Sequence, residues 1–117
     1  LNQNELQELC GQWQKILGLS DWVVSVRLAR FHELSELQRG GEVTFCLPKL
    51  TAEIAVLDSA DYDPKWVSGQ DQEKTVVHEL LHLQLAHLSD SDKDDIHLEQ
   101  TIELLSRAFV ALKRGQM

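Results

Sequence analysis

The chain has 117 residues, 43% of them hydrophobic and 26% charged, the balance of one folded globular domain, which excludes disordered, collagen-like and two-domain architectures. Eleven Lys and Arg against nineteen Asp and Glu leave a net charge of −8, so the surface repels phosphate, and neither nucleic acid nor an anionic membrane is expected as a partner. No apolar run approaches the roughly 20 residues that cross a bilayer, and the first residues lack the basic and apolar regions of a signal peptide. Two cysteines, Cys10 and Cys46, are too few for a disulfide framework. A soluble protein of the reducing cytoplasm is expected, with a removed upstream segment left open because the chain starts at Leu1.

Residues 4–17 place Leu6, Leu9, Trp13, Ile16 and Leu17 at three- and four-residue steps, which predicts a helix with one buried stripe, closed by Gly18. From Trp22 the period becomes two: Trp22, Val24, Val26 and Leu28 alternate with Val23, Ser25 and Arg27, a strand with one face on a core. After Gly40-Gly41 a second strand follows, in which Val43, Phe45 and Leu47 alternate with Glu42, Thr44 and Cys46 until Pro48. Residues 51–58 form a third, weaker strand with Ala52, Ile54 and Val56 on one side. Residues 58–69, rich in Asp, Ser, Pro and Gly, read as a surface connection. A helix is expected from about residue 70 to 88, an acidic interruption over residues 89–95, and a last helix over 94–113. The expected fold is α+β: an N-terminal helix, a small three-stranded, mainly antiparallel sheet, and two long helices, with all helices on one face of the sheet.

His78-Glu79-Leu80-Leu81-His82 is an HExxH sequence. Four residues are just over one turn, so the two imidazoles lie about 40° apart on one helix face and can share a metal ion. Zn²⁺ takes tetrahedral N and O ligands at about 2.0–2.2 Å, and adjacent turns bring two rings that close. Glu79 projects about 100° from His78, near enough to act as general base on a metal-bound water. The surrounding Val76, Val77, Leu80, Leu81, Leu83, Leu85 and Leu88 predict a helix buried on most sides, where two unpartnered histidines would be costly.

A third protein ligand is needed, and His87, His97 and Glu99 are candidates. In a continuous helix His87 points about 140° from His82, which makes it a surface or capping residue. The last helix has an apolar stripe of Leu98, Ile102, Leu105, Phe109 and Leu112; Glu99, Glu103 and Ser106 share one edge of it, and His97 points nearly opposite Glu99. If the two long helices pack side by side, Glu99 reaches the metal, and Glu103 accepts a hydrogen bond from the far nitrogen of a ligand histidine. Ser106 is a packing residue.

Val76-Val77-His78-Glu79-Leu80-Leu81-His82-Leu83, followed by Glu99-Gln100-Thr101-Ile102-Glu103, resembles the gluzincin clan of zinc metallopeptidases, whose third ligand is a glutamate on a later helix. Chain length and element order are similar to the minimal members called minigluzincins and to small phage-encoded proteins of that type, although Glu103 stands where many gluzincins have Asp or Asn. The resemblance implies a minimal zincin-like domain over 1–117. It implies one Zn²⁺ held by His78, His82 and Glu99, with Glu79 as base and acid and Glu103 behind a ligand histidine. A peptide or protein would be the substrate, adding in extended form to residues 51–58 as the rim strand. An edge strand that binds nothing is the simpler reading of that segment. Large gluzincins stabilise the oxyanion with a His or Tyr from a second subdomain that this chain does not reach; Tyr62, His32 and Arg107 are conceivable substitutes.

The expected function is therefore hydrolysis of peptide bonds by a zinc-dependent endopeptidase. Two alternatives stand beside it: a metal-binding, catalytically weak or inactive module of the same fold that acts as a binding or regulatory protein, and a structural protein in which HELLH is ordinary helix sequence.

Overall fold

The computed structural model describes residues 1–34, 40–65, 69–86 and 96–115. They form α1 (Gln3–Leu17), β1 (Val23–Ala29), β2 (Gly41–Cys46), β3 (Thr51–Leu57), α2 (Gln72–Gln84) and α3 (Ile96–Lys113), with short 3-10 turns between the strands and after β3. The fold is α+β, as the periodicities predict. His87, Trp66 and the acidic interruption over 89–95 lie outside the described residues.

Local chemistry explains where the helices begin and end. Asn2 accepts from the Glu5 N–H while Glu5 accepts from the Asn2 N–H, a reciprocal cap, and Gly18 closes α1 at φ 74°. Asp71 caps α2 by accepting from the Lys74 N–H at 3.1 Å. The α1 stripe is rotated from the expected one: Leu6, Cys10, Trp13, Gln14 and Leu17 are buried, whereas Ile16 is exposed. Burial pushes the Cys10 thiol up to about 11, so it stays protonated in the core, and both cysteines are free.

The sheet departs from the expected mainly antiparallel arrangement. Its order is β1-β3-β2: β3 pairs antiparallel with β2 and parallel with β1. Residues 47–50 are a tight connection that makes β2 and β3 antiparallel neighbours. β1 and β2 do not pair with each other, and β3 lies between them. Residues 51–58 are thus the centre of the sheet and not its rim; Ile54, Ala55, Val56 and Leu57 are all buried, the continuous apolar run of an interior strand.

The two outer edges differ. Along β1, Gln7 donates to the Val24 carbonyl and accepts from the Val26 N–H, and Gln3 does the same for the Val26 carbonyl and the Leu28 N–H. Two glutamine amides of α1 therefore stand in for a fourth strand and close that edge. On β2, the Leu57 N–H to Gly40 carbonyl bond and the register give Glu42, Thr44 and Cys46 to β3. The backbone groups of Gly41, Val43 and Phe45 face outward, with no strand neighbour among the described residues.

Val24, Val26, Ile54 and Val56 form the sheet's contribution to one core with Leu6, Trp13, Val76, Val77, Leu80, Leu81, Leu83, Ile102 and Val110 of the helices. On α3 the buried residues are Ile102, Ser106 and Val110, while Leu112 is 61% exposed. The helix is thus turned so that the Glu99–Glu103–Ser106 edge faces α2 and the expected stripe lies partly to one side. At the opposite end, Arg114 donates to both Asp71 oxygens at 2.8 and 3.0 Å and to Glu73 at 2.9 Å. Glu73 also accepts from Trp13 and Lys113, and the Lys113 ammonium lies 5.2 Å over the Trp13 ring. Three helices meet in this clamp. No helix among the described residues is long and apolar enough to cross a membrane.

Two consequences can be measured. A Cβ on Gly41 would lie 2.5 Å from the Thr75 methyl and 2.8 Å from the Ala55 carbonyl, so Gly41→Ala forces β2 away from α2 and costs about 2 kcal/mol in denaturant unfolding. Thr75→Ser relieves part of that loss, because the carbonyl contact remains. Burial favours the neutral forms of Asp71 and Glu73, but hydrogen bonds from Arg114 and the Lys74 N–H to Asp71, and from Lys113, Trp13 and Arg114 to Glu73, outweigh it and lower both carboxyls. A depressed folded-state pKa gives stability that is present above the unfolded value, about 4, and lost as pH falls through the folded one. Arg114→Ala therefore costs about 1.5 kcal/mol near neutrality, and the gap to wild type narrows as pH falls below about 4.

Candidate metal centre

Helices α2 and α3 run antiparallel, since Asp71 and Lys74 near the start of α2 meet Arg114 and Glu103, while His82 near its end meets Glu99. The apolar residues of α2 occupy the sheet and helix contacts, so the remaining face, His78 and His82, is turned toward the polar edge of α3. His78 and His82 have ring centroids 5.2 Å apart with planes inclined by 50°.

Glu99 bridges the two rings: one carboxylate oxygen lies 2.7 Å from His78 Nε2 and the other 3.1 Å from His82 Nε2. Glu103, one turn on, is 2.8 Å from His78 Nδ1. Glu79 is 4% exposed, and its carboxylate and a nitrogen of each imidazole all lie within 4.8 Å of one another. Glu79 and His82 lie close to His78, Glu99 contacts both imidazoles, and Glu103 contacts His78. His97 is exposed on α3, and His32 sits on the exposed turn Phe31–Glu33 near Asp61. Tyr62 closes the 3-10 turn Ser59–Asp61.

Each histidine nitrogen that faces a carboxylate has a physical consequence. Burial works against a charge on His78, but its hydrogen bond to Glu99 and the negative charges of Glu79, Glu99 and Glu103 outweigh burial and raise its pKa. Hydrogen bonds from His78 and His82 hold the Glu99 carboxyl well below the usual range. For Glu103, burial favours the neutral acid, yet the Lys74 hydrogen bond and the charges of Lys74 and His78 prevail and keep it ionised.

His78, Glu79 and His82 are the residues whose ligand atoms lie close enough together to hold a metal ion, with Glu99 against both rings. In a tetrahedral site with bonds of about 2.0–2.1 Å, neighbouring donors stand about 3.3 Å apart. One Glu99 oxygen lies 2.7 Å from His78 Nε2 and the other 3.1 Å from His82 Nε2, close to that separation. With its proton on Nδ1 toward Glu103, His78 would be left with Nε2 to offer an ion.

Two cations escape notice in the sequence reading as members of this cluster. Lys74 Nζ lies 3.0 Å and Arg107 Nε 3.2 Å from the same Glu103 oxygen. Their spacing carries the signal: Lys74 is one helical turn before His78, and Arg107 one turn after Glu103. This places the Arg107 Nε against Glu103, which in turn faces Nδ1 of His78, the nitrogen opposite the one that meets Glu99. Compared with family models, curated proteins and solved structures, the chain matches none.

Proposed function

We propose that the chain is a minimal zinc metallopeptidase of the gluzincin type, in which His78, His82 and Glu99 hold one zinc ion and Glu79 is the general base for peptide-bond hydrolysis. The observation that carries this reading is Glu99, whose two oxygens meet the two Nε2 atoms at 2.7 and 3.1 Å. Two imidazoles and one carboxylate favour zinc over harder, all-oxygen ions. When bound, the ion would supply Lewis-acid chemistry, lowering the pKa of a coordinated water and polarising the scissile carbonyl.

The chain's own groups do the remaining work in this proposal. Glu79 accepts a proton from the attacking water and passes it to the departing amine, and its burial keeps bulk water from competing for that proton. Glu103 keeps the His78 proton on Nδ1. The outward backbone groups of Gly41, Val43 and Phe45 would bind an extended peptide by strand addition, in place of the central residues 51–58. The Gly41–Thr75 approach supports that choice, because it sets β2 beside α2 within a turn of His78. Two free cysteines suit the reducing cytoplasm.

A second reading, a metal-binding module of this fold that cleaves little, is favoured by the placement of Arg107. Its Nε donates to a Glu103 oxygen at 3.2 Å, behind His78 and not on the Glu99 side of the ring.

Metal analysis of protein purified without chelator is expected to return one zinc per chain. Chelation should lower the melting temperature of wild type and leave His78→Ala unchanged. Glu79→Gln should retain the metal while peptide-library cleavage falls by about 10²–10⁴-fold. Zinc without cleavage by wild type selects the second reading; a chain that takes up no zinc and ignores chelator overturns both.

A further inference from the structure

Glu103 has two oxygens and three partners, and they are divided unevenly. Oε2 faces His78 Nδ1 at 2.8 Å, while Oε1 receives Lys74 Nζ at 3.0 Å and Arg107 Nε at 3.2 Å. A carboxylate on a flexible glutamate side chain could present either oxygen to the imidazole or turn away from it. Two cations converging on one oxygen, one from α2 and one from α3, remove that freedom. The Lys74 and Glu103 side chains are 23% and 29% exposed, so this contact is shielded from solvent more than an ordinary surface pair.

We propose that Lys74, assisted by Arg107, is a positioning residue of the metal centre: it pins Glu103 Oε1 so that Oε2 holds the Nδ1 proton of His78 and aims Nε2 at Glu99. This inference rests on the metal-centre reading for its effect on the ion, though not for its effect on the ring. Lys74 sits one turn before His78, so its ammonium and the imidazole lie along the same face and meet Glu103 together. The positive charges also matter. Glu79, Glu99 and Glu103 put three carboxylates around His78, and Lys74 and Arg107 balance the one that does not face the ion. The bond from Asp71 to α2 uses the Lys74 backbone N–H, so side-chain substitution at Lys74 leaves the helix cap intact.

The experiment uses the full chain with Lys74→Met, Lys74→Arg, Lys74→Met with Arg107→Met, Glu103→Ala, and Glu103→Ala with Lys74→Met. Two readouts are taken: cobalt affinity from its visible absorption, and, in metal-free protein, the NMR signal of the His78 Nδ1 proton. Lys74→Met is expected to weaken cobalt binding about tenfold, at the lower end of the range for partners that orient a ligand histidine. Lys74→Arg should restore it. Lys74→Met should cost nothing further in the Glu103→Ala background, because Lys74 acts through Glu103. The Nδ1 proton should be visible in wild type and Lys74→Arg and exchange-broadened in Lys74→Met. Unchanged cobalt affinity and an unchanged proton in the Lys74→Met, Arg107→Met double variant overturn the proposal. So does a Lys74→Met loss that persists undiminished without Glu103. If wild type binds no cobalt, the metal-centre reading fails by itself; loss of the Nδ1 proton in Lys74→Met then still supports the positioning role, and its retention in the double variant refutes it.

Discussion

The antiparallel packing of α2 on α3 is the constraint on which the candidate centre depends. Val76, Val77, Leu80, Leu81 and Leu83 of α2, with Ile102 and Val110 of α3, are at most 4% exposed. Burying each such side chain contributes about 1.5–3 kcal/mol, whereas a partly exposed ion pair contributes about 0–1. The apolar contacts therefore set the axial position and rotation of the two helices. The polar contacts act within that frame, choosing rotamers for His78, His82, Glu99 and Glu103 and not the placement of their backbones. Ser106, fully buried one turn beyond Glu103, lets the helices approach where a larger residue would hold them apart.

Charge is distributed in this frame with a definite sense. The chain carries a net −8, and three of its carboxylates surround His78. Glu99 spans both imidazoles, and Glu103 is turned to Nδ1 by two cations on its other oxygen. In the proposed metal centre, an ion would take the place of hydrogen on Nε2. Around Asp71 and Glu73 the acids are instead matched by Arg114 and Lys113, which ties the far ends of the same helices together.

The sheet contributes orientation. Gln3 and Gln7 close the β1 edge with side-chain amides, β3 is paired on both sides, and β2 is left with outward backbone groups beside α2. Fold and proposed activity meet there: the open edge and the histidine-bearing helix are held together by the close approach of Gly41 to Thr75.

Much of this was legible in the residues alone, because helix and strand periodicities are local. The order of elements, the faces of β1 and β3, the pairing of His78 with His82 and of Glu99 with Glu103 all follow from rises and turns that depend on no distant contact. Strand order did not follow, since a period of two says which face is buried and not which strand lies alongside; the run Ile54-Ala55-Val56-Leu57 was the available sign that β3 is interior. Rotation of the stripes was equally out of reach. Ile16 and Leu112 are apolar at helical spacing yet exposed, while Gln14 and Ser106 are buried, because a neighbour's shape decides which arc of a helix is covered. The grouping of Lys74 and Arg107 on Glu103 likewise needed two helices at a particular separation. Sequence determined which groups each helix presents; only tertiary packing decided which of them touch, since contact between segments distant in the chain is set by the burial of everything around them.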